Sequence, residues 1–135
     1  AALGEPAFPI LMELMEREGD ITIRGGLSGS LKQFGPKAVA ALPYLHDLLR
    51  SPRAGNRYAA LDLIAAIGEG AAPIVPEILR VMVEANTTEA KSCARTLGKI
   101  GPAASAALPR LRELAAANSA DPVVFDAAIA AIEKK

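Results

Sequence analysis

The 135-residue sequence contains no tryptophan, three phenylalanines, two tyrosines, one histidine and one cysteine. Each shortage excludes something. A single cysteine, Cys93, can neither close an intramolecular disulfide nor build a CxxC or multi-cysteine zinc site, and it suits a reducing compartment. The lone histidine, His46, has only Asp47 beside it in sequence, whereas a metal site draws several ligands together. No uninterrupted apolar run approaches the roughly 20 residues of a membrane span, and no charged leader with a cleavage site opens the chain. No membrane insertion is expected, and a cytoplasmic location follows as an expectation. Fifteen basic and fifteen acidic side chains cancel, so no overall field draws the chain to nucleic acid or anionic lipid.

What is present is apolar and helix-forming. Hydrophobic residues make up 51% of the sequence, enough to fill a core, and abundant alanine with 4% aromatics favours closely packed helices over a sheet. An all-α fold is the expectation.

Internal periodicity supports it. Prolines preceded by a large apolar residue recur in "AFPILMELM", "ALPYLHDLL", "IVPEILRVM" and "ALPRLRELA", at Pro9, Pro43, Pro76 and Pro109, spaced 34, 33 and 33 apart. Eight residues before the last three stand Gly35, Gly68 and Gly101. Around each proline one helical face repeats: Leu42, Leu45, Leu48 and Leu49, then Val75, Ile78, Val81 and Met82. Before each glycine a second face repeats: Leu27, Leu31 and Phe34, then Ala60, Ile64 and Ile67, then Cys93, Leu97 and Ile100. Each unit therefore reads as two helices, A and B, with approximate boundaries 1–35, 36–68, 69–101 and 102–135.

The glycine-rich stretch "DITIRGGLSGSLKQFG" looks like a phosphate loop but falls in register with two B helices, Arg24 aligning with Arg57. It lacks both G-x-G-x-x-G and G-x-x-x-x-G-K-[ST], and reads as a weakened helix B. Glycine after each B helix supplies a residue tolerant of positive φ, and Pro36 and Pro102 start the next helix where a missing N–H is harmless. Asn56, Asn86 or Thr87, and Asp121 are the expected N-caps. Pro43, Pro76 and Pro109 fall mid-helix in this reading and should kink helix A.

Paired helices of about 33 residues, the proline in the first and the run Leu97, Gly98, Lys99, Ile100, Gly101, Pro102 closing the second resemble HEAT repeats, most closely the short bacterial kind associated with phycobilin lyase subunits. Arg24 and Arg57 stand where such repeats often place a basic residue. Ala90 departs from that pattern, the fourth copy fits only with one residue deleted, and the first is glycine-rich. Ankyrin repeats share the period, but their T-P-L-H-x-A signature is absent, and armadillo-like three-helix units are less well matched. The resemblance implies a right-handed α-α superhelix, an α-solenoid of about four hairpins with the B helices lining its concave side. "AALG" at Ala1–Gly4 reads like the tail of an earlier helix B, and Ile10 and Met12 sit off the core face of the first helix A, so further repeats are expected upstream.

Function then concerns surfaces. Cys93 occupies a small-residue core position and His46 a solvated one, and the scattered carboxylates Glu13, Glu16, Glu18, Glu69 and Glu84 face no cleft. No catalytic residue, metal site or cofactor is assigned. On the exposed side of the B helices, stacking by 33 residues sets Tyr58 beside Lys91 and Asp62 beside Arg95, with Lys99 one turn on. Asp62 and Arg95 form an ion pair in this reading, and Arg57, Tyr58, Asp62, Lys91, Arg95 and Lys99 form the candidate surface for a protein or peptide partner. The alternatives are a nucleic-acid-binding solenoid, which zero net charge and the lack of tryptophan disfavour, and an accessory subunit of a lyase-type enzyme.

Overall fold

The structure, a computed structural model, describes residues 10–11, 13–14, 26–27, 29–118 and 122–134. Among them there is no strand. From Lys32 onward the described residues form six α-helices: α1 Leu42–Leu49, α2 Ala54–Ile67, α3 Val75–Glu84, α4 Thr87–Ile100, α5 Leu108–Ala117 and α6 Val123–Glu133. Tight 3₁₀ segments precede α1, α3 and α5, over Lys32–Ala41, Gly68–Ile74 and Gly101–Ala107.

Glycine sets the boundaries. Among the described residues positive φ occurs at Gly35, Gly68 and Gly101, with values of 53°, 75° and 81°. Their ψ angles, −129°, −136° and −148°, lie outside the left-handed helical well and close to a region that only glycine enters freely. At Gly68 and Gly101 the chain leaves a 14-residue helix and turns into a 3₁₀ segment, while Gly35 breaks the 3₁₀ segment Lys32–Ala41 from within. Gly68 and Gly101 each donate the N–H to a carbonyl four residues back, from Ile64 and Leu97, which closes the last turn. One stretch of helix, Ala54–Glu84, is long and apolar enough by composition to cross a membrane. It is divided at Gly68 into α2 and α3.

The prolines behave differently from the sequence expectation. Pro43, Pro76 and Pro109 lie in the first turn of α1, α3 and α5, because the α-helix begins one residue earlier and what precedes it is 3₁₀. A first-turn N–H has no intrahelical acceptor, so proline there removes nothing. The change from 3₁₀ to α geometry falls at the place where a mid-helix kink was expected.

Of the expected caps, Asn86 holds: its Oδ1 accepts the Glu89 N–H at 2.9 Å. Asn56 lies inside α2, and its Nδ2 donates to Ser51 Oγ at 3.0 Å instead. Asp121 lies outside the described residues, as do Arg24, Glu16, Glu18 and Ala1–Gly4. Residues 26–27 and 29–31 of the glycine-rich stretch are helical.

The helices pack in a regular order. α1 lies on α2, α3 on α4 and α5 on α6, while α2, α4 and α6 pack in succession, α4 in the middle. Their shared seam is apolar: Ala60, Ile64 and Ile67, then Cys93, Leu97 and Ile100, then Phe125, Ala128 and Ile132, all buried. Each large aliphatic or aromatic side chain in that seam contributes about 1.5–3 kcal/mol by leaving water. A buried hydrogen bond crosses it, Thr96 Oγ1 donating to the Leu61 carbonyl at 3.1 Å. The helix-A face expected from the sequence is buried at Leu45, Leu48, Leu49, Ile78, Val81 and Met82, and partly buried at Leu42.

Replacing Gly101 by alanine forces a side chain into the glycine-only backbone region and should cost on the order of 1–3 kcal/mol. Gly55→Ala, at the exposed start of α2 where an added Cβ meets nothing within 4 Å, should be neutral or stabilising. Urea unfolding of both variants checks the contrast.

Candidate interaction surface

The first residue expected at the surface is committed elsewhere. Arg57, in the second turn of α2, reaches Glu89 in the first turn of α4: Nε donates to Oε2 at 2.5 Å and Nη2 to Oε1 at 3.0 Å. Its Nη1 donates to the Ser51 carbonyl at 2.8 Å. The Glu89 side chain is only 5% exposed. Such a two-point pair fixes geometry as well as charge. The hydrogen bond to Glu89 raises the Arg57 guanidinium above its ordinary range against the opposing effect of burial. Arg57 is therefore a clamp between α2 and α4 and is removed from the candidate surface.

A second network joins α1 to α3. Glu77, whose side chain is 10% exposed, accepts from Arg50 Nε at 3.1 Å and Arg80 Nε at 2.7 Å, and His46 Nε2 stands 3.4 Å from its other oxygen. Arg80 Nη2 also donates to the Leu49 carbonyl at 3.3 Å. Burial pushes the Glu77 carboxyl up, but the hydrogen bonds from Arg80 and Arg50 outweigh it, and the group titrates below its ordinary value of 4.5. Between the two networks lies a cleft of about 240 Å³ lined by Arg50, Ser51, Arg57, Arg80, Glu84 and Glu89, so Glu84, expected to face no cleft, does line one. Its charges are largely spent on one another, and the cleft binds the two helix pairs together.

Cys93 is fully buried in the α2–α4–α6 seam. Burial pushes its thiol up to about 12, with the nearby Glu89 charge adding to the effect, so the thiolate needed for nucleophilic attack is scarce at neutral pH. Among the described residues no three His, Cys, Asp or Glu side chains converge as a metal set.

The remaining candidates separate in position. Tyr58, Asp62, Arg95 and Lys99 line one groove of about 560 Å³ between α2 and α4, floored by Ala59, Leu61, Ala65 and Thr96. The expected Asp62–Arg95 ion pair does not form: Asp62 pairs with Lys32 at 2.8 Å, both ends largely exposed and worth about 0–1 kcal/mol. Lys91 is half-buried on α4 and lines no groove described here. Arg95 and Lys99 are exposed and, among the described residues, carry no ion pair or hydrogen bond.

A second groove, about 410 Å³, lies on the other side of α4 against α6, and the sequence reading missed it. Arg95 and Lys99 form one wall, Val123, Val124, Ala127 and Ala131 the other, with Gly98 and Ala128 between them. Gly98 permits the close approach: a Cβ there would sit 3.4 Å from the Ala128 Cα. The available signal was the spacing of Val123, Ala127 and Ala131, four apart on one side of α6. The fourth copy's imperfect alignment hid which α4 residues they face.

Two stability predictions follow from the buried carboxylates. Arg57→Ala leaves Glu89 buried without its partner and should cost about 3 kcal/mol, whereas Arg57→Met with Glu89→Leu should recover most of that in chemical denaturation. Glu77, with its native carboxyl titrating below the unfolded one, stabilises the fold above pH 4.5 and loses that contribution as pH falls through its native value. Glu77→Gln should accordingly be less stable by about 2 kcal/mol near pH 7 and converge with the wild type in acid-side melting curves. Comparison of the chain with protein-family models, curated proteins and solved structures found no match.

Proposed function

We propose that this chain is a non-enzymatic interaction module of the HEAT-like kind, a right-handed α-solenoid that holds a protein or peptide partner on the exposed side of α2, α4 and α6, its concave face in this reading. Succession of α2, α4 and α6, each carrying its own shorter helix, and glycine turns 33 residues apart support the repeat reading. The observation that carries the binding reading is the pair of grooves meeting on α4, with two uncompensated cations, Arg95 and Lys99, on the crest between them.

Other functions have less to stand on. Among the described residues Cys93 is buried in the core, and the buried carboxylates Glu77 and Glu89 are taken up by arginines. Nucleic-acid binding draws on many cations along a phosphate track, while here Arg57 and Lys32 are neutralised by Glu89 and Asp62. A protein or peptide partner suits a small mixed surface better, in an adaptor or scaffold role.

Site-specific photo-cross-linking in source-cell lysate tests this reading. A photoreactive residue at Ala65 or Ala127, which line the grooves, should yield discrete protein adducts; the same residue at exposed Ala103, on the 3₁₀ segment before α5, should not. Adducts at Ala103 alone would move the partner surface to the 3₁₀ segment before α5.

A further inference from the structure

Resting on the interaction reading above, we infer that the groove between α4 and α6 receives a partner segment in helical form, apolar along one side and acidic along its flank. The α4 wall of the groove is cationic. Arg95 and Lys99 are spaced by four, so they lie on one side of α4, about 6 Å apart along its axis. Like charges at that spacing disfavour a helix slightly, and the only acid in α4, Glu89, is spent on Arg57. The position of Lys99 in the last turn has a local rationale in the helix dipole; Arg95, at mid-helix, has none. Neither has an anionic partner among the described residues.

The α6 wall is apolar with the same period. Val123, Ala127 and Ala131 are spaced by four, and Val123 is 68% exposed, the most exposed of the large hydrophobic residues described. Two rows of equal spacing, the cations Arg95 and Lys99 on α4 and the apolar residues on α6, border a trough that holds Gly98 and Ala128. A helix laid along it meets both rows with residues of its own at i and i+4. Its apolar side covers the valines and alanines, and carboxylates on the adjoining side reach Arg95 and Lys99. An extended acidic chain would satisfy the cations and leave Val123 and Ala127 wet. A purely apolar helix would desolvate the two cations without compensation. Charge complementarity thus selects an acidic amphipathic helix.

The test uses fluorescein-labelled peptides of about 16 residues, long enough to be helical. One carries a Leu/Ala side flanked by glutamates four apart, a second has those glutamates replaced by lysines, and a third keeps the glutamates but has glutamines on the apolar side. Fluorescence anisotropy against the full chain at low salt should show binding of the first and at least about tenfold weaker binding of the other two. Arg95→Glu with Lys99→Glu should reverse the preference between the glutamate and lysine peptides, and Ala127→Glu, at an exposed position, should weaken the first peptide without touching the cations. Equal binding by wild type and the double reversal, or equal binding of the first and third peptides, overturns the inference. A photoreactive group in the first peptide separates the two readings. Adducts on α6 support this groove, and adducts confined to α2 around Tyr58 overturn it while the interaction surface stands. Adducts confined to α1, α3 or α5 overturn both.

Discussion

The chain can leave α2 and α4 in the direction it takes only because Gly68 and Gly101 hold φ at 75° and 81° with ψ near −140°. A side chain at either point would push the backbone toward continuing the helix or toward a different exit angle. The rest of the arrangement depends on that exit. It returns the chain through a 3₁₀ segment to the proline that opens the next α-helix, and it brings the following long helix back against the previous one. With the two turns 33 residues apart, α2, α4 and α6 meet through equivalent apolar positions.

Burial in that seam combines large side chains such as Ile64, Leu97 and Phe125 with small ones at Ala60, Cys93 and Ala128, which let the helices come close. Closeness has a consequence for charge. Helices near enough for Thr96 to reach the Leu61 carbonyl are also near enough for Arg57 to reach Glu89, and a carboxylate only 5% exposed needs that partner. Glu77 is held in the same way by Arg50 and Arg80 across α1 and α3. The two networks place arginines as cross-links at the turn end of the helix pairs. Arginines tied in this way are unavailable to a partner molecule, so the basic residues that count at the surface are fewer than the sequence displays.

That reduction locates the candidate surface. Of the six residues singled out from the sequence, Tyr58, Asp62, Arg95 and Lys99 do line a common groove, Arg57 is a structural clamp, and Lys91 lines neither groove. The crest formed by Arg95 and Lys99 faces two grooves of different character, a mixed one toward α2 and an apolar one toward α6. Gly98 lies in the second, where an added Cβ would come within 3.4 Å of the Ala128 Cα.

By itself the sequence determined what depends on spacing along one chain. Helical content, the turn at each glycine, the buried faces of α1 to α4, the Asn86 cap and the burial of Cys93 were all legible, because a helix carries its apolar residues at a fixed period and glycine alone takes the turn's backbone angles. Only the tertiary structure decided which charges meet. Arg57 finds Glu89 and Asp62 finds Lys32 at separations of 32 and 30 residues, displaced from the 33-residue repeat that sequence alignment assumes. Those choices depend on how one helix is rotated and shifted against the next, a rigid-body property set by side-chain volume at the seam, and no spacing within a single helix encodes it. The α4–α6 groove was hidden for the same reason: its walls belong to helices whose register is fixed only when Gly98 settles against Ala128.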